Sequence, residues 1–176
     1  MSAWNLRRHR IACTACEASF ADEERYFSLL TTEAGELSRR DFCSACWSAR
    51  AAVASDLFWW RTRHAEKRRR GVSFNIEALE ALFVALEGRS DLRVRELRFL
   101  LCLLLMRKRR VKIVRMTNLE GSEAFVVRRP RREEEFVVFV YDFSPERMAE
   151  LREELRALFA SDEAPIEFAA GVPGGA

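Results

Sequence analysis

Four of the five cysteines stand in two C-x-x-C pairs, Cys13/Cys16 and Cys43/Cys46, with 26 residues between the pairs. Two thiolates three positions apart on a tight turn can face one ion, and two such pairs complete the tetrahedral shell that Zn²⁺ prefers. The spacing therefore predicts that Cys13, Cys16, Cys43 and Cys46 ligate one metal ion. Four thiolates leave no coordination position for water or substrate, so the ion is expected to be structural. Sites of this kind contribute about 10–16 kcal/mol of apparent binding free energy to folding in zinc-finger peptides.

Iron in a rubredoxin-like site uses the same ligands, but Glu17 and Trp47 stand where glycines follow the cysteine pairs of such sites. A thioredoxin-like redox dithiol calls for a βαβ context that the flanking sequence lacks. Zinc is thus the expected metal. Cys102, inside the run Phe-Leu-Leu-Cys-Leu-Leu-Leu-Met, reads as a small buried hydrophobe.

Compartment follows from what the N-terminus lacks. Arg7, Arg8, His9 and Arg10 fall where a secretory signal needs an apolar core of about 7–15 residues. The longest apolar run, residues 99–106, is bounded by Arg98 and Arg107 and is far shorter than the roughly 20 residues of a spanning helix. A cytoplasmic chain with no membrane association is expected, and its reducing surroundings favour metal ligation over disulfides. With 49% hydrophobic and 32% charged residues, and only 7 Gly and 4 Pro, the chain is excluded from the disordered and collagen-like classes.

The expected architecture is α+β. Residues 1–60 read as a metal module: a knuckle, a hairpin of residues 26–30 and 37–42 around Thr-Thr-Glu-Ala-Gly-Glu, and an Ala-rich helix running from Ser44 to Trp60. Residues 61–74 read as a basic linker. Residues 75–162 read as an α+β half with two helices, a three-stranded antiparallel meander and a C-terminal helix, and residues 163–176 as a flexible tail. Asn75 caps the first of those helices, with Ile76, Leu79, Leu82, Phe83 and Leu86 on one face and Gly88 at its end. The second helix runs from Leu92 to Arg109. The meander takes residues 111–114, 124–127 and 136–141, with turns at Glu120-Gly121 and Pro130. Ser144-Pro145 opens the last helix, striped by Met148, Leu151, Leu155, Leu158 and Phe159. Phe58-Trp59-Trp60 sits awkwardly in a helix, which cannot bury three successive large rings on one face. Packing of these rings between the two halves is the expected outcome.

The order of knuckle, hairpin and a C-x-x-C-Trp that runs into a helix resembles the treble-clef and zinc-ribbon families, most closely the treble clef, over residues 11–60. The resemblance implies that the four cysteines are ligands and that Phe20 and Trp47 pack around the knuckles. The whole chain, with Asn-Leu-Arg-Arg, Cys-Thr-Ala-Cys, Cys-Ser-Ala-Cys-Trp and Leu-Leu-Leu-Met-Arg-Lys-Arg, is also similar to a small family of uncharacterised bacterial proteins, which lends no activity. Treble clefs and zinc ribbons include nucleic-acid binders, protein-interaction modules and structural staples, so fold alone does not choose among them.

Charge gives the second lead. The net +3 is an average over blocks: residues 1–60 carry −1, residues 61–132 carry +12 and residues 133–176 carry −8. Candidate phosphate or nucleic-acid contacts are Arg68, Arg69 and Arg70; Arg107, Lys108, Arg109, Arg110 and Lys112; and Arg128, Arg129, Arg131 and Arg132. Competing uses are a favourable meeting with a helix C-terminus at residues 107–110, neutralisation by the acidic C-terminal block, and support of the thiolate site by Arg7, Arg8, Arg10, Arg39 and Arg40. His9 and His64 lie in basic stretches expected to be solvated. Glu133-Glu134-Glu135 reads as a solvated loop, and no phosphate-cradling Gly-rich loop, His-Glu-x-x-His or Gly-x-Ser-x-Gly motif is present. A non-enzymatic zinc protein with a protein partner is expected, nucleic acid is the alternative partner, and no small-molecule substrate is indicated.

Overall fold

The computed structural model describes residues 12–64 and 75–159, together with the backbone of residues 167–170. Residues 25–33 and 36–42 form the expected hairpin, strands β1 (Arg25–Glu33) and β2 (Glu36–Phe42). Ala34 and Gly35 both take positive φ, 51° and 80°, between paired Glu33 and Glu36. A two-residue turn of this hand matches the twist of the flanking strands.

After β2 the chain departs from the expected long helix. Helix α1 (Ser44–Ala49) has only six residues, and Asp56–Arg63 is a strand, β3, paired antiparallel with β1. Helix propensity favoured the Ala-rich stretch, but the aromatic residues favoured period two. In β3, Phe58 and Trp60 face one side of the sheet and join the main core, while Trp59 faces the other beside Trp47 and Phe27. Successive large rings are thereby all packed, which a helix could not achieve. The reversal between α1 and β3 is held by Arg50, whose Nη1 and Nη2 donate to the two Asp56 carboxylate oxygens at 2.9 and 3.0 Å.

The expected boundary between residues 60 and 61 falls inside β3, so Arg61, Thr62 and Arg63 belong to the sheet; residues 65–74 of the expected linker lie outside the described residues. His64 is buried, contrary to a solvated reading, because its backbone pairs with Glu23 and Glu24 at the end of the β1–β3 ladder. The tail also departs from expectation. Residues 167–170 form β7 (Glu167–Ala170) on the outer side of β3, since an edge strand offers unpaired N–H and C=O groups. The resulting sheet has the order β2-β1-β3-β7.

The second half follows its periodicity. In α2 (Ile76–Ala85) the Asn75 side chain accepts from the Glu77 and Ala78 N–H groups, and Gly88, at φ 70°, ends the segment. Helix α3 (Leu92–Arg107) stops two residues earlier than expected, with Arg109 at φ 57° reversing the chain. Strands β4 (Lys112–Leu119), β5 (Ser122–Arg128) and β6 (Glu135–Phe139) form the antiparallel meander, and α4 (Pro145–Phe159) buries Leu151, Leu155, Leu158 and Phe159. One hydrophobic cluster joins Leu30, Leu37, Phe58 and Trp60 of the first sheet to α2, α3, α4 and the second sheet. Trp60 lies 5.3 Å, centroid to centroid, from Phe159 of α4. Among the described residues, no helix is long and apolar enough to cross a membrane.

Candidate metal centre

The two cysteine pairs flank the hairpin in sequence, and antiparallel pairing of Phe27 with Phe42 brings them together at its open end. The first pair sits on a knuckle closed by hydrogen bonds from the Cys13 N–H to the Ala18 carbonyl, 2.8 Å, and from the Glu17 N–H to the Cys13 carbonyl, 2.9 Å. Glu17 takes φ 61° to complete that turn. Cys43 follows the last residue of β2 and is the N-cap of α1, whose first turn carries Cys46. The knuckle is fastened to β2 by a reciprocal pair: the Thr14 N–H donates to the Asp41 carbonyl at 2.7 Å, and the Asp41 N–H donates to Thr14 Oγ1 at 3.1 Å.

The ligand atoms of Cys13, Cys16, Cys43 and Cys46 all lie within 4.8 Å of one another. A tetrahedron with bonds of about 2.3 Å has edges of about 3.8 Å, and the Cys16 and Cys43 sulfurs are 3.9 Å apart. All five cysteines are free thiols. The donor set thus suits one thiophilic ion, with no carboxylate or imidazole in the group. Electrostatics agree. Burial opposes ionisation of Cys13, but the backbone N–H groups of Cys16, Cys43 and Ala15 outweigh it and bring that thiol down to about 6. Hydrogen bonding with Cys43, Cys16 and Cys13 drives Cys46 up to about 12. Thiolates this close repel, and a cation among them removes the conflict.

Under the site lies an aromatic floor. Trp47 stacks on Phe27 at 4.8 Å and 3°, and Phe42 and Trp59 tilt against it. Phe20 stacks on Tyr26 at 4.5 Å, so both rings expected around the knuckles are packed there. Arg39 takes a different role from sulfur support. Its Nε donates to Asp41 Oδ1 at 3.0 Å and Nη2 to Ser28 Oγ at 2.9 Å, Nη1 donates to the Leu158 carbonyl at the end of α4, and the guanidinium lies over Trp60. Arg40 pairs with Glu33. Arg7, Arg8, Arg10 and His9 lie outside the described residues. The Thr14–Asp41–Arg39–Ser28 brace carries no sequence motif; only the oddity of an Arg and an Asp at inward strand positions hints at it.

The candidate phosphate contacts divide. Arg110 is held by Glu80, with N–O distances of 3.0 and 2.8 Å, and Arg129 by Glu134 at 2.7 Å, so these two are neutralised. Arg68, Arg69 and Arg70 lie outside the described residues. Arg107, Lys108, Arg109, Lys112, Arg128, Arg131 and Arg132 gather where α3 ends, β4 begins and the β5–β6 turn passes, and Lys112 stands opposite Arg128 in the ladder. Helix α4 does not neutralise them: its carboxylates Glu150, Glu153 and Glu154 pair with Arg147 and Arg156 of the same helix. Cys102 is fully buried and its thiol is pushed up to about 11 by burial, in keeping with a core role.

Compared with known proteins, the chain matches no family model, no curated protein and no solved structure.

Proposed function

We propose that this is a non-enzymatic zinc protein of the cytoplasm in which one structural Zn²⁺, held by Cys13, Cys16, Cys43 and Cys46 in a treble-clef-like module, stabilises a protein-interaction or regulatory adaptor. The observation that carries the reading is the closed set of four sulfurs within 4.8 Å, which offers an ion four ligands and a substrate none. Knuckle, hairpin and short helix in that order support the treble-clef assignment. For the adaptor role the supporting feature is β4, whose Ile113, Val114, Met116 and Leu119 are 39–61% exposed on a strand that, among the described residues, pairs with β5 alone. Exposed edges of this kind pair with a partner's strand. The purified chain should contain one zinc and show no ferric-thiolate absorption. Stripping the metal should abolish the thermal transition of the first sheet; an unchanged circular dichroism spectrum and transition would overturn the structural-zinc reading. A photo-crosslinker at Met116 should capture a discrete protein, and capture of nucleic acid alone would overturn the adaptor role.

A second reading, nucleic-acid binding, is supported by the basic end of the second sheet. Seven cations there have no ion-pair partner among the described residues. If they meet phosphates, affinity for RNA or duplex DNA should fall steeply with salt, by about 0.9 in log–log slope per duplex phosphate neutralised. Absence of binding at low ionic strength eliminates this reading.

A further inference from the structure

A buried arginine, Arg98, interrupts the apolar surface of α3. The residue is 6% exposed, and two of its three nitrogens are consumed by the fold. Nε donates to the Phe83 carbonyl at 3.1 Å, tying α3 to α2, and Nη1 donates to the Val137 carbonyl of β6. The guanidinium lies 4.7 Å from the Phe83 ring centroid, so its plane is held against an aromatic face. The third nitrogen, Nη2, is buried and has no hydrogen-bond partner. Its ion-pair partner, Glu87, stands off at 3.6 Å with its own side chain 43% exposed. Burial lowers the pKa of Arg98 and raises that of Glu87, which marks the pair as under-compensated.

Arg98 and Glu87 both line a cavity of about 330 Å³ between the α2–α3 connection and the second sheet. Leu119, Val138 and Phe139 supply an apolar wall. A second guanidinium, that of Arg95, lies 4.2 Å from the centroid of the Phe139 ring and is fixed by Glu120 at 3.1 Å. Across the lining, Arg89, Arg95 and Arg98 exceed Glu87 and Glu120 by one positive charge. A purely structural buried arginine ends with its donors satisfied. Here Nη2, covered by Glu87 at 3.6 Å without a hydrogen bond, is carried by a residue that lines a cavity whose volume falls at the small end of ligand sites and whose surface combines apolar walls with few polar groups.

We propose that this cavity is a binding site for a small monocarboxylate with an apolar body, its carboxylate accepting from Arg98 Nη2 and its hydrocarbon part lying against Leu119, Val138 and Phe139. Glu87, exposed along part of its side chain, swings toward solvent as the carboxylate enters. The site is separate from the four-sulfur centre and does not depend on the metal reading.

The test uses the full metal-loaded chain with phenylacetate and 4-methylpentanoate as probes, and phenylacetamide as the uncharged control, followed by amide chemical-shift changes. Saturable shifts at Gly88, Leu119 and Phe139 are expected, with the amide bound at least about tenfold more weakly because a charge-assisted hydrogen bond is lost. Arg98→Lys should weaken phenylacetate about tenfold or more. Because Arg98 also ties α2 to β6, Leu119→Trp is the second variant: it fills the cavity, leaves Arg98 untouched, and should abolish probe binding with the thermal transition retained. Equal binding of acid and amide, an unchanged affinity in Leu119→Trp, or no saturable shift with either acid would overturn the proposal.

Discussion

At the scale of single residues, each cysteine is told apart by its surroundings. Four converge on one point and the fifth is sealed in α3 against Met106, with its sulfur 3.8 Å from the Met106 sulfur. A thiol-specific reagent should therefore find no reactive cysteine in the metal-loaded chain, four after chelation and all five only on unfolding. Reaction of the fifth thiol before unfolding would contradict its burial. Asp41 is the other residue with a large expected effect. It receives Ser28 Oγ at 2.6 Å and Arg39 Nε at 3.0 Å, while its main chain holds the knuckle through Thr14. Both side chains of the Arg39–Asp41 pair are 7% exposed, so Asp41→Ala takes a buried carboxylate away from both the Arg39 guanidinium and Ser28 Oγ. The expected loss is about 3–5 kcal/mol in denaturant unfolding, together with weaker retention of any metal added to the four-sulfur site. Cysteine spacing made the four-sulfur cluster readable from sequence, because a site that could hold an ion demands a local geometry that spacing records. The Asp41 brace left no such record, since its members meet only through strand pairing.

Among the elements, β3 is the instructive one. An Ala-rich lead-in and an absence of Gly or Pro favoured a helix through residue 60, yet the segment forms the strand between β1 and β7. Propensity is a sum of small local preferences, of order 0.5 kcal/mol per residue, whereas burying an aromatic ring contributes several times that. Alternation of Phe58 and Trp60 against Trp59 lets both faces of the sheet be packed. Trp60→Ala should accordingly cost about 3–5 kcal/mol, because the ring is 1% exposed and contacts Phe58 and Phe159. Trp59→Phe should cost less than about 1.5 kcal/mol, since the indole Nε1 has no hydrogen-bond partner to lose and the ring position beside Trp47 is kept. Equal losses in the two variants would argue against β3 dividing its rings between two faces. Helices α2, α3 and α4 and strands β5 and β6 were readable because their apolar residues fall where the chain is actually buried, whereas β4 was readable from its β-branched run although its apolar residues stay exposed.

For the whole molecule, charge is partitioned rather than averaged. Residues of α3 and α4 form an ion network in which Arg147 meets Glu96 at 2.7 Å and Glu154 at 3.6 Å. Burial raises Glu154 to about 7, against the lowering influence of Arg147 and Arg93, and Glu150 and Glu96 add to the rise. A carboxyl whose folded pKa lies above its ordinary value makes the folded state bind more protons between the two. Its contribution to stability is present at low pH and is lost as pH rises through about 7. With metal content held the same in both chains, Glu154→Gln should thus stabilise the chain more at about pH 8 than at about pH 6, measured as the difference in unfolding free energy from the parent. A difference independent of pH would show that Glu154 does not titrate there. The acidic helix is occupied with this network, which leaves the cations at the end of α3 and the start of β4 facing solvent.

What the sequence by itself determined are features written in local spacing: the four-cysteine cluster, the helices and strands with clean periodicity, and the caps at Asn75 and Gly88. Tertiary structure alone decided the rest. It made Asp56–Arg63 a strand, added Glu167–Ala170 at its edge, fused the two halves around one core, turned Arg39 toward Asp41 and the end of α4 rather than toward the four sulfurs, and left Arg98 Nη2 with a 3.6 Å ion pair but no hydrogen bond. The physical reason is common to all of these. Each depends on which residues distant along the chain share a buried surface, and the free energy of that burial exceeds the local preferences that a linear reading can weigh.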